Sequence, residues 1–391
     1  MRIAIVRRHC SLKKAGAERY CVNLFHGLQK LGHHVTVVGE AIDDELRSEV
    51  DFLPVPVLKL TSWTKNRSFA ENCAKVVRSQ KFDIVHGLSR VEGLDTFRLT
   101  DPMQTHWVNV WYRNPVSRWF QQHNPRHRAI FDLERRLYGP KGVRRIIVQS
   151  KLDAGLLTEY FGVDESRIRR IVNGVDTQVF HLGARDDRTA VREQLLQEFG
   201  GSMSNGSSDN TPLLIFASMD FRRKGLDSLL LSLSQVKDRE TRLLVLGAGD
   251  IRSYKQKAKS LGVDHRVHFA GRQSDIHRYY AAGDLFVLPT IYEPFPNVNL
   301  EAMACGTPVI TTETAGGADI IEQGINGYTI PDAWSVQSLT ELIDQHFQLS
   351  LAKRELMSAQ CWQIASKLRV EDNARNVAQV LDEVLREKHA A

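Results

Sequence analysis

The chain has 391 residues, 42% hydrophobic and 25% charged, with a formal net charge of +6 at pH 7. These are the values of a soluble globular protein, and the length exceeds one ordinary core and suits two domains. Apolar runs stay short of the roughly eighteen residues that read as a membrane span, and Met1 to Arg8 lack the apolar core of a signal peptide. Cys10, Cys21, Cys73, Cys305 and Cys361 lack metal-ligand spacing and read as reduced cytoplasmic thiols.

Taken in chain order, residues 2–6 form a strand, and Arg7 to Lys14 a polar loop. Ala15-Gly16-Ala17 opens an amphipathic helix with Tyr20, Leu24 and Leu28 on one side, closed by Gly32 before a strand at Val35 to Val38. A strand, a glycine turn, a helix and a strand make one unit of a doubly wound sheet, and Gly16 lets a ligand approach the backbone. A plain tight turn explains that glycine equally well. Phe82 to Gly87 and Thr96 to Leu99 are further strands. Residues past such strand ends line the ligand crevice, which makes Asp101 and His106 candidates for contact with a substrate. Asp101 can also simply cap the turn before Pro102.

Residues 106–145 have the most unusual composition of the chain. Trp107, Trp111, Tyr112, Trp119, Phe120, Phe131 and Tyr138 are interleaved with nine cations, among them Arg113, Arg118, Arg126 and Arg128, against Asp132 and Glu134. Basic residues mixed with interfacial aromatics read as a surface that lies on an anionic membrane, with Trp111 and Trp119 among head groups. A partly buried helix pair is the plain alternative. Nucleic acid ranks last, because no nucleic-acid motif accompanies the patch.

A strand at Arg145 to Ser150, a helix from Asp153 and the stretch Ile168 to Val172 lead to Asn173-Gly174, read as the domain boundary. Residues 188–199 read as helix and Gly200 to Asn210 as a flexible insertion. The second domain starts with the strand Leu213 to Ala217, then Arg222-Arg223-Lys224-Gly225 and an apolar helix. Cations at a strand-to-helix junction suit a phosphate, held between long donors and a helix N-terminus. Leu243 to Gly249 and Val267 to Arg272 repeat the strand-and-glycine pattern, and Leu285 to Pro289 reads as a buried parallel strand. Next comes Glu293-Pro-Phe-Pro-Asn-Val-Asn-Leu-Glu301, then Ala302-Met-Ala-Cys-Gly306-Thr-Pro308. Its prolines place a helix start between the two glutamates, with backbone N–H groups of Phe295, Pro296, Asn297 and Val298 around the positive helix end (Pro296 itself lacks an N–H) and Glu301 about two turns in. This suits a ligand with hydroxyls at two places and negative charge between them. From about residue 335 the pattern is helical to the end.

This signature resembles the retaining glycosyltransferases of family 4, and the likeness extends over nearly the whole chain, densest over 213–330. It is nearest to the lipopolysaccharide core glucosyltransferase I branch, on Asp220-Phe-Arg-Arg-Lys-Gly225, the block Leu261 to Arg272 and the basic aromatic segment. The resemblance implies an α/β GT-B fold: two facing Rossmann-like domains, 1–173 for the acceptor and 174–370 for the nucleotide-sugar, with 371–391 a helix returning to the first domain. It implies that Glu301 binds ribose hydroxyls, Glu293 faces the donor sugar, Arg223 and Lys224 hold the diphosphate, Gly16 lies against that diphosphate and Arg272 sits near the base. Asp101 joins Glu293, Arg223 and Lys224 as a candidate catalytic group. Two departures stand out: Ala15 or Ala17 where relatives carry a second glycine, and Tyr20 where the branch tends to carry aspartate.

The expected function is hexose transfer from a nucleotide-sugar, UDP-glucose or similar, to a glycolipid such as the lipopolysaccharide core, with no metal or other cofactor. The expected place is the inner face of the cytoplasmic membrane, held peripherally. Another glycan or lipid acceptor is one alternative, and a sugar-nucleotide epimerase of the same fold is another, although it leaves the basic aromatic segment unexplained. A nicotinamide oxidoreductase would need Gly-x-Gly-x-x-Gly after the first strand, which the 15–17 turn does not provide.

Overall fold

The computed structural model describes residues 1–12, 16–199 and 211–390; Ala15 and the 200–210 insertion lie outside them. The chain forms two compact units, Met1–Gly174 together with the chain from Val370, and Val175–Arg369.

In the first unit the strands are β1 (Arg2–Val6), β2 (His9–Cys10), β3 (His34–Gly39), β4 (Ala41–Ile42), β5 (Asp51–Pro54), β6 (Ile84–Gly87), β7 (Thr96–Arg98), β8 (Arg145–Val148) and β9 (Ile168–Arg170). Seven of them form a parallel sheet of order β5-β3-β1-β6-β7-β8-β9, and β2 pairs with β4 beside it. Ile3 sits opposite Val35 and Ile84, and Ile5 opposite Val37 and His86. Helices cover both faces of such a sheet, so its central strands are buried along most of their length.

The helices are α1 (Ala17–Lys30), α2 (Ser62–Arg78), α3 (Gln104–Trp111), α4 (Pro115–His123), α5 (Pro125–Tyr138) and α6 (Lys151–Phe161). Local chemistry sets their starts. Thr61 and Thr64 form a capping box for α2. Asn114-Pro115 and Asn124-Pro125 repeat one device at α4 and α5: Asn114 Oδ1 accepts from Val116 N at 2.9 Å, and Asn124 Oδ1 from Arg126 N at 3.0 Å. Each proline fills a first position whose N–H has no partner in the helix anyway. The sequence reading assigned no element to residues 41–81, where β5 and α2 stand.

The second unit opens with α7 (Arg188–Glu198). A parallel six-stranded sheet follows: β10 (Leu213–Ser218), β11 (Arg242–Gly247), β12 (Val267–Gly271), β13 (Leu285–Leu288), β14 (Val309–Thr312) and β15 (Gly327–Ile330), in the order β12-β11-β10-β13-β14-β15. Its helices are α8 (Leu226–Gln235), α9 (Ile251–Ser260), α10 (Ile276–Ala282), α11 (Asn297–Ala304), α12 (Val336–Gln348) and α13 (Leu351–Ala365). The helical tail expected from 335 is therefore interrupted, at Leu349-Ser350 and again over 366–369, before α14 (Val370–Ala390). Ser350 caps α13 through Lys353 N, a polar stop that periodicity alone does not register. Among the described residues no helix is long and apolar enough to cross a membrane.

The last helix, α14, packs on α1 of the first unit and buries Ala374, Val377, Leu381 and Val384 beside Cys21, Phe25 and Leu28. Gly27 makes this approach possible, because a Cβ there would overlap the Cβ of Ala374. Gly27→Ala sets two effects against each other. Alanine gains about 1 kcal/mol of helix propensity, whereas overpacking a close contact costs about 1–3 kcal/mol. The contact is backbone-close and cannot yield by a rotamer change, so urea unfolding should show a net loss of stability.

Candidate functional site

In the second unit, β10, β11 and β12 run outward to one side and β13, β14 and β15 to the other, so the strand order reverses between β10 and β13. Open parallel sheets bind ligands at the carboxyl edge beside such a reversal. The chain leaving β10 there carries Arg223 and Lys224, and the chain leaving β13 carries Glu293. The structure brings all three together: Lys224 Nζ lies 2.9 Å from Glu293 Oε2, and Arg223 Nη1 donates to the same oxygen. The sequence reading gave the cations to a phosphate and the carboxylate to a sugar. In the structure they are partners first.

The loop is shaped by its own turns. Asp220 accepts from Arg223 N at 3.1 Å and from Arg223 Nε at 3.4 Å, and Lys224 N donates to Asp220 O at 3.1 Å. Gly225 has φ +80, and a Cβ there would overlap the Pro289 carbonyl. The two strand exits are laced together by Ile291 N and Thr290 Oγ1, which both donate to Arg223 O. Below them Phe221 is wedged among Phe216, Tyr254 and Phe269, with Gly249 against its ring.

Counting charges around each group explains its titration. Burial pushes the Glu293 carboxyl up, but Lys224 and Arg223 outweigh it and hold the group at about 2. Burial pulls the Lys224 ammonium down to about 8, since it shares its one carboxylate with a second cation. Burial also lowers Arg223, yet Glu293 and Asp220 together leave it raised. Asp220 adds a second carboxylate on Arg223, so the four groups balance in formal charge; Lys224, the more buried cation, shares its ion-pair carboxylate Glu293 with that arginine.

Glu293 also fixes the next turn, since its carbonyl accepts from Gly316 N at 2.9 Å. Pro296 is the N-cap of α11, no side chain caps that helix, and Phe295 is buried beneath its start. Asn297 and Val298 open its first turn, so Glu301 lies little more than one turn in, not two, because the two prolines delay the helix to Asn297. Tyr280 Oη donates to Glu301 Oε2 at 3.3 Å. Arg272 is exposed, just beyond β12 at the sheet's edge. Sequence reasoning missed Asn299: it is fully buried beside Gly317 and Pro296, and neither amide atom finds a partner among the described residues. An asparagine beside the apolar residues Val298, Leu300, Ala302 and Met303 of α11 was the available signal.

The first unit holds the other candidates. Gly16 precedes α1 with φ +72 and open space where a Cβ would stand. Asp101 Oδ2 accepts from Arg7 Nη1 at 2.8 Å, and Arg7 also pairs with Glu18 at 3.2 Å. Arg7 leaves β1 and donates to Leu88 O beyond β6, which places this group where the first sheet reverses its own strand order. His106 Nδ1 lies 3.3 Å from Tyr160 Oη, and burial takes its imidazole down to about 4. Tyr20 faces the buried Arg98 guanidinium at 4.4 Å and donates to Asn373 Oδ1 at 3.0 Å.

Of the expected membrane residues, Arg113, Trp119, Arg126 and Arg128 are exposed. Trp111 instead packs on Trp107 at 4.6 Å, and Arg118 is spent on the carbonyls of Tyr112 and Arg113 at the end of α3. A residue one helical turn from a large aromatic stacks on it, and a helix end with bare carbonyls draws the nearest arginine, which leaves both side chains half-buried. The apolar side chains that α4 does expose are Val116, Trp119 and Phe120, and no residue of α4 is buried.

Comparison with known proteins matches the Glycosyltransferase Family 4 pattern to residues 15–179 and the pattern of Glycosyl transferases group 1 to residues 202–360. The chain is 24% identical over 335 residues to the lipopolysaccharide glucosyltransferase WaaG of Escherichia coli K12, covering 84% of this chain and 85% of that one. It superposes on the crystal structure of WaaG with a TM-score of 0.80 at 21% identity, over 97% of this chain and 99% of the other. The UDP-glucose complex of Anabaena Alr3699/HepE gives 0.72 at 19% identity, over 98% and 100%.

The charge count at Lys224 is open to direct measurement. Heteronuclear NMR of isotope-labelled lysine should show its amine titrating near 8. Removing the carboxylate with Glu293→Gln should move that midpoint lower, and removing the competing cation with Arg223→Gln should move it higher. A Lys224 signal at the ordinary lysine value would mean that the three groups are not packed together.

Proposed function

The chain belongs to the glycosyltransferases of GT-B fold, and from that premise we propose that it moves a hexose from UDP-glucose, or a similar nucleotide-sugar, onto a glycolipid with retention of anomeric configuration. The cluster of Arg223, Lys224 and Glu293 at the strand-order reversal carries this reading. A diphosphate set beside it would add negative charge next to the buried Lys224, which shares one carboxylate with Arg223, and the uncapped start of α11 adds backbone donors of the same sign.

In this proposal the acceptor hydroxyl oxygen bonds to the anomeric carbon from the face that the diphosphate leaves. The bond from that carbon to the leaving phosphate oxygen breaks, and the hydroxyl proton passes to that phosphate oxygen. Negative charge grows on the diphosphate, where Arg223 and Lys224 meet it, so the step calls for no metal. Glu301, held by Tyr280, receives ribose hydroxyls, with Arg272 toward the base. Glu293 orients the two cations and lies within reach of the sugar. Gly16 and Asp101 stand in the first unit, Asp101 beside Arg7 at that sheet's own strand-order reversal. UDP-glucose is supported by the ligand named for the HepE structure, and a lipopolysaccharide core acceptor by the name of WaaG. An epimerase of the same fold would need no acceptor and would have no use for the exposed apolar face of α4.

That face supports a peripheral place at the inner side of the cytoplasmic membrane. Trp119 and Phe120, with Val116, sit among head groups, and Arg113, Arg126 and Arg128 meet anionic lipid, each worth about 1 kcal/mol and screened by salt. Co-sedimentation should then be stronger with anionic than with neutral vesicles and fall as salt rises; equal binding to both would remove this part of the proposal.

The donor assignment is tested by incubating the protein with a panel of nucleotide-sugars and reading hydrolysis by mass spectrometry. Replacing Arg223 and Lys224 together by Ala should weaken UDP binding more than tenfold, since each charge-assisted bond is worth about 1.5–3 kcal/mol. Glu301→Ala should weaken UDP binding without any sugar present, whereas Glu293→Gln should spare or strengthen it and lower kcat. The opposite split in calorimetry would exchange the two roles.

A further inference from the structure

The chain between β5 and α2 carries an apolar strip that the function above does not use. Residues 55–61 form neither helix nor strand, yet they are tied down at several points. Val55 N donates to Gly39 O at 2.7 Å, Leu58 N to Ser68 Oγ at 2.9 Å, and Asn72 Nδ2 to Pro56 O at 2.8 Å. Lys59 Nζ pairs with Glu40 Oε1 at 3.0 Å. The Lys59 side chain stays largely in solvent while making that pair. Leu58 and Leu60 are left 52% and 74% exposed, and Trp63 in the first turn of α2 is exposed as well. These leucines are exposed on a segment whose backbone is bonded to β3 and α2.

The charge around the strip is mainly positive, although Arg67 is paired with Glu71 at 2.7 Å. Residues 55–67 contain Lys59, Lys65 and Arg67 and no carboxylate. Glu40 is shared between Lys59 and Arg8, so that pairing leaves the region positive. Position adds a second argument. β5 and β7 are parallel strands of one sheet, so this segment leaves the same edge as the chain that enters α3 and α4. α2 packs on α5, and α5 packs on α4. Exposed apolar side chains between cations, at the edge where α4 shows Trp119 and Phe120, fit an anionic lipid surface.

We propose that residues 58–65 form a second bilayer contact, with Leu58, Leu60 and Trp63 seated at the acyl boundary of an anionic leaflet and Lys59 and Lys65 against its phosphates. The proposal rests on the membrane reading of α4. Two separated contacts would fix the tilt of the first unit on the membrane, which one helix cannot do.

The five native cysteines are buried, so an introduced surface cysteine can be labelled selectively. Leu60→Cys and, separately, Phe120→Cys are labelled with an environment-sensitive fluorophore. Each is mixed with vesicles of phosphatidylglycerol and phosphatidylethanolamine, or of phosphatidylcholine alone. Leu356→Cys, on the exposed face of α13, is the control. The label at 60 should shift to the blue with the anionic vesicles, be quenched by doxyl-labelled acyl chains and lose the shift in high salt, while the label at 356 stays unchanged. Leu58→Ser with Leu60→Ser should weaken vesicle partition by roughly tenfold or more. A response at 120 with none at 60 overturns this proposal and leaves the α4 reading standing. No response at either position overturns both. A shift at 60 that follows protein concentration without vesicles also overturns it, in favour of contact between copies of this chain.

Discussion

A carboxylate held between two cations below the surface is an expensive arrangement. Removing each ion from water costs several kcal/mol, and mutual attraction returns that only when every partner is well placed. Glu293 is satisfied, because it faces both Lys224 and Arg223. Lys224 is not, because the carboxylate it needs is also claimed by an arginine. The cluster is thus stable enough to be held, with Asp220 on Arg223, and its buried ammonium is the group that a further negative charge would stabilise most. Its place at the reversal of strand order decides what can supply that charge, since strand ends and a helix start open there together.

The scaffold around the cluster is correspondingly stiff. Arg223 is bonded through its backbone to the exit of β13 and through its side chain to Asp220, so the cation is aimed by the loop rather than by its own rotamers. Gly225 closes the loop where a Cβ would strike Pro289, and Phe221 locks its underside into an aromatic cluster. Such preorganisation is what allows a fixed charge to act on a departing group without reorganising at the moment of reaction.

The first unit repeats the principle with other residues. Arg7 leaves β1 at that sheet's own reversal and is held between Asp101 and Glu18. Asp101 is in this way an oriented carboxylate rather than a turn cap alone. A few residues away Arg98 is wholly buried and faces the ring of Tyr20, a neutral partner at the position where the related branch tends to place an aspartate. An aromatic face satisfies a guanidinium less strongly than a carboxylate does, and burial accordingly lowers the Arg98 pKa.

The sequence by itself determined the doubly wound units, the cationic loop after β10 and the glutamate before α11. Each of these rests on local rules: hydrophobic period and strand-to-helix punctuation. Only the tertiary structure decided that Glu293, seventy residues from Arg223, pairs with it, because no periodicity reports which two strand exits lie side by side. It also decided which aromatics of the basic segment face solvent. Composition offered Trp111 and Trp119 as equals, and the structure separates them, since Trp111 has Trp107 one turn away to stack on and α4 has no core to enter. The same holds for Leu58 and Leu60, which are exposed on a segment tied to Gly39, Ser68 and Asn72. Burial is a property of the packed neighbours, and a single sequence does not say who those neighbours are.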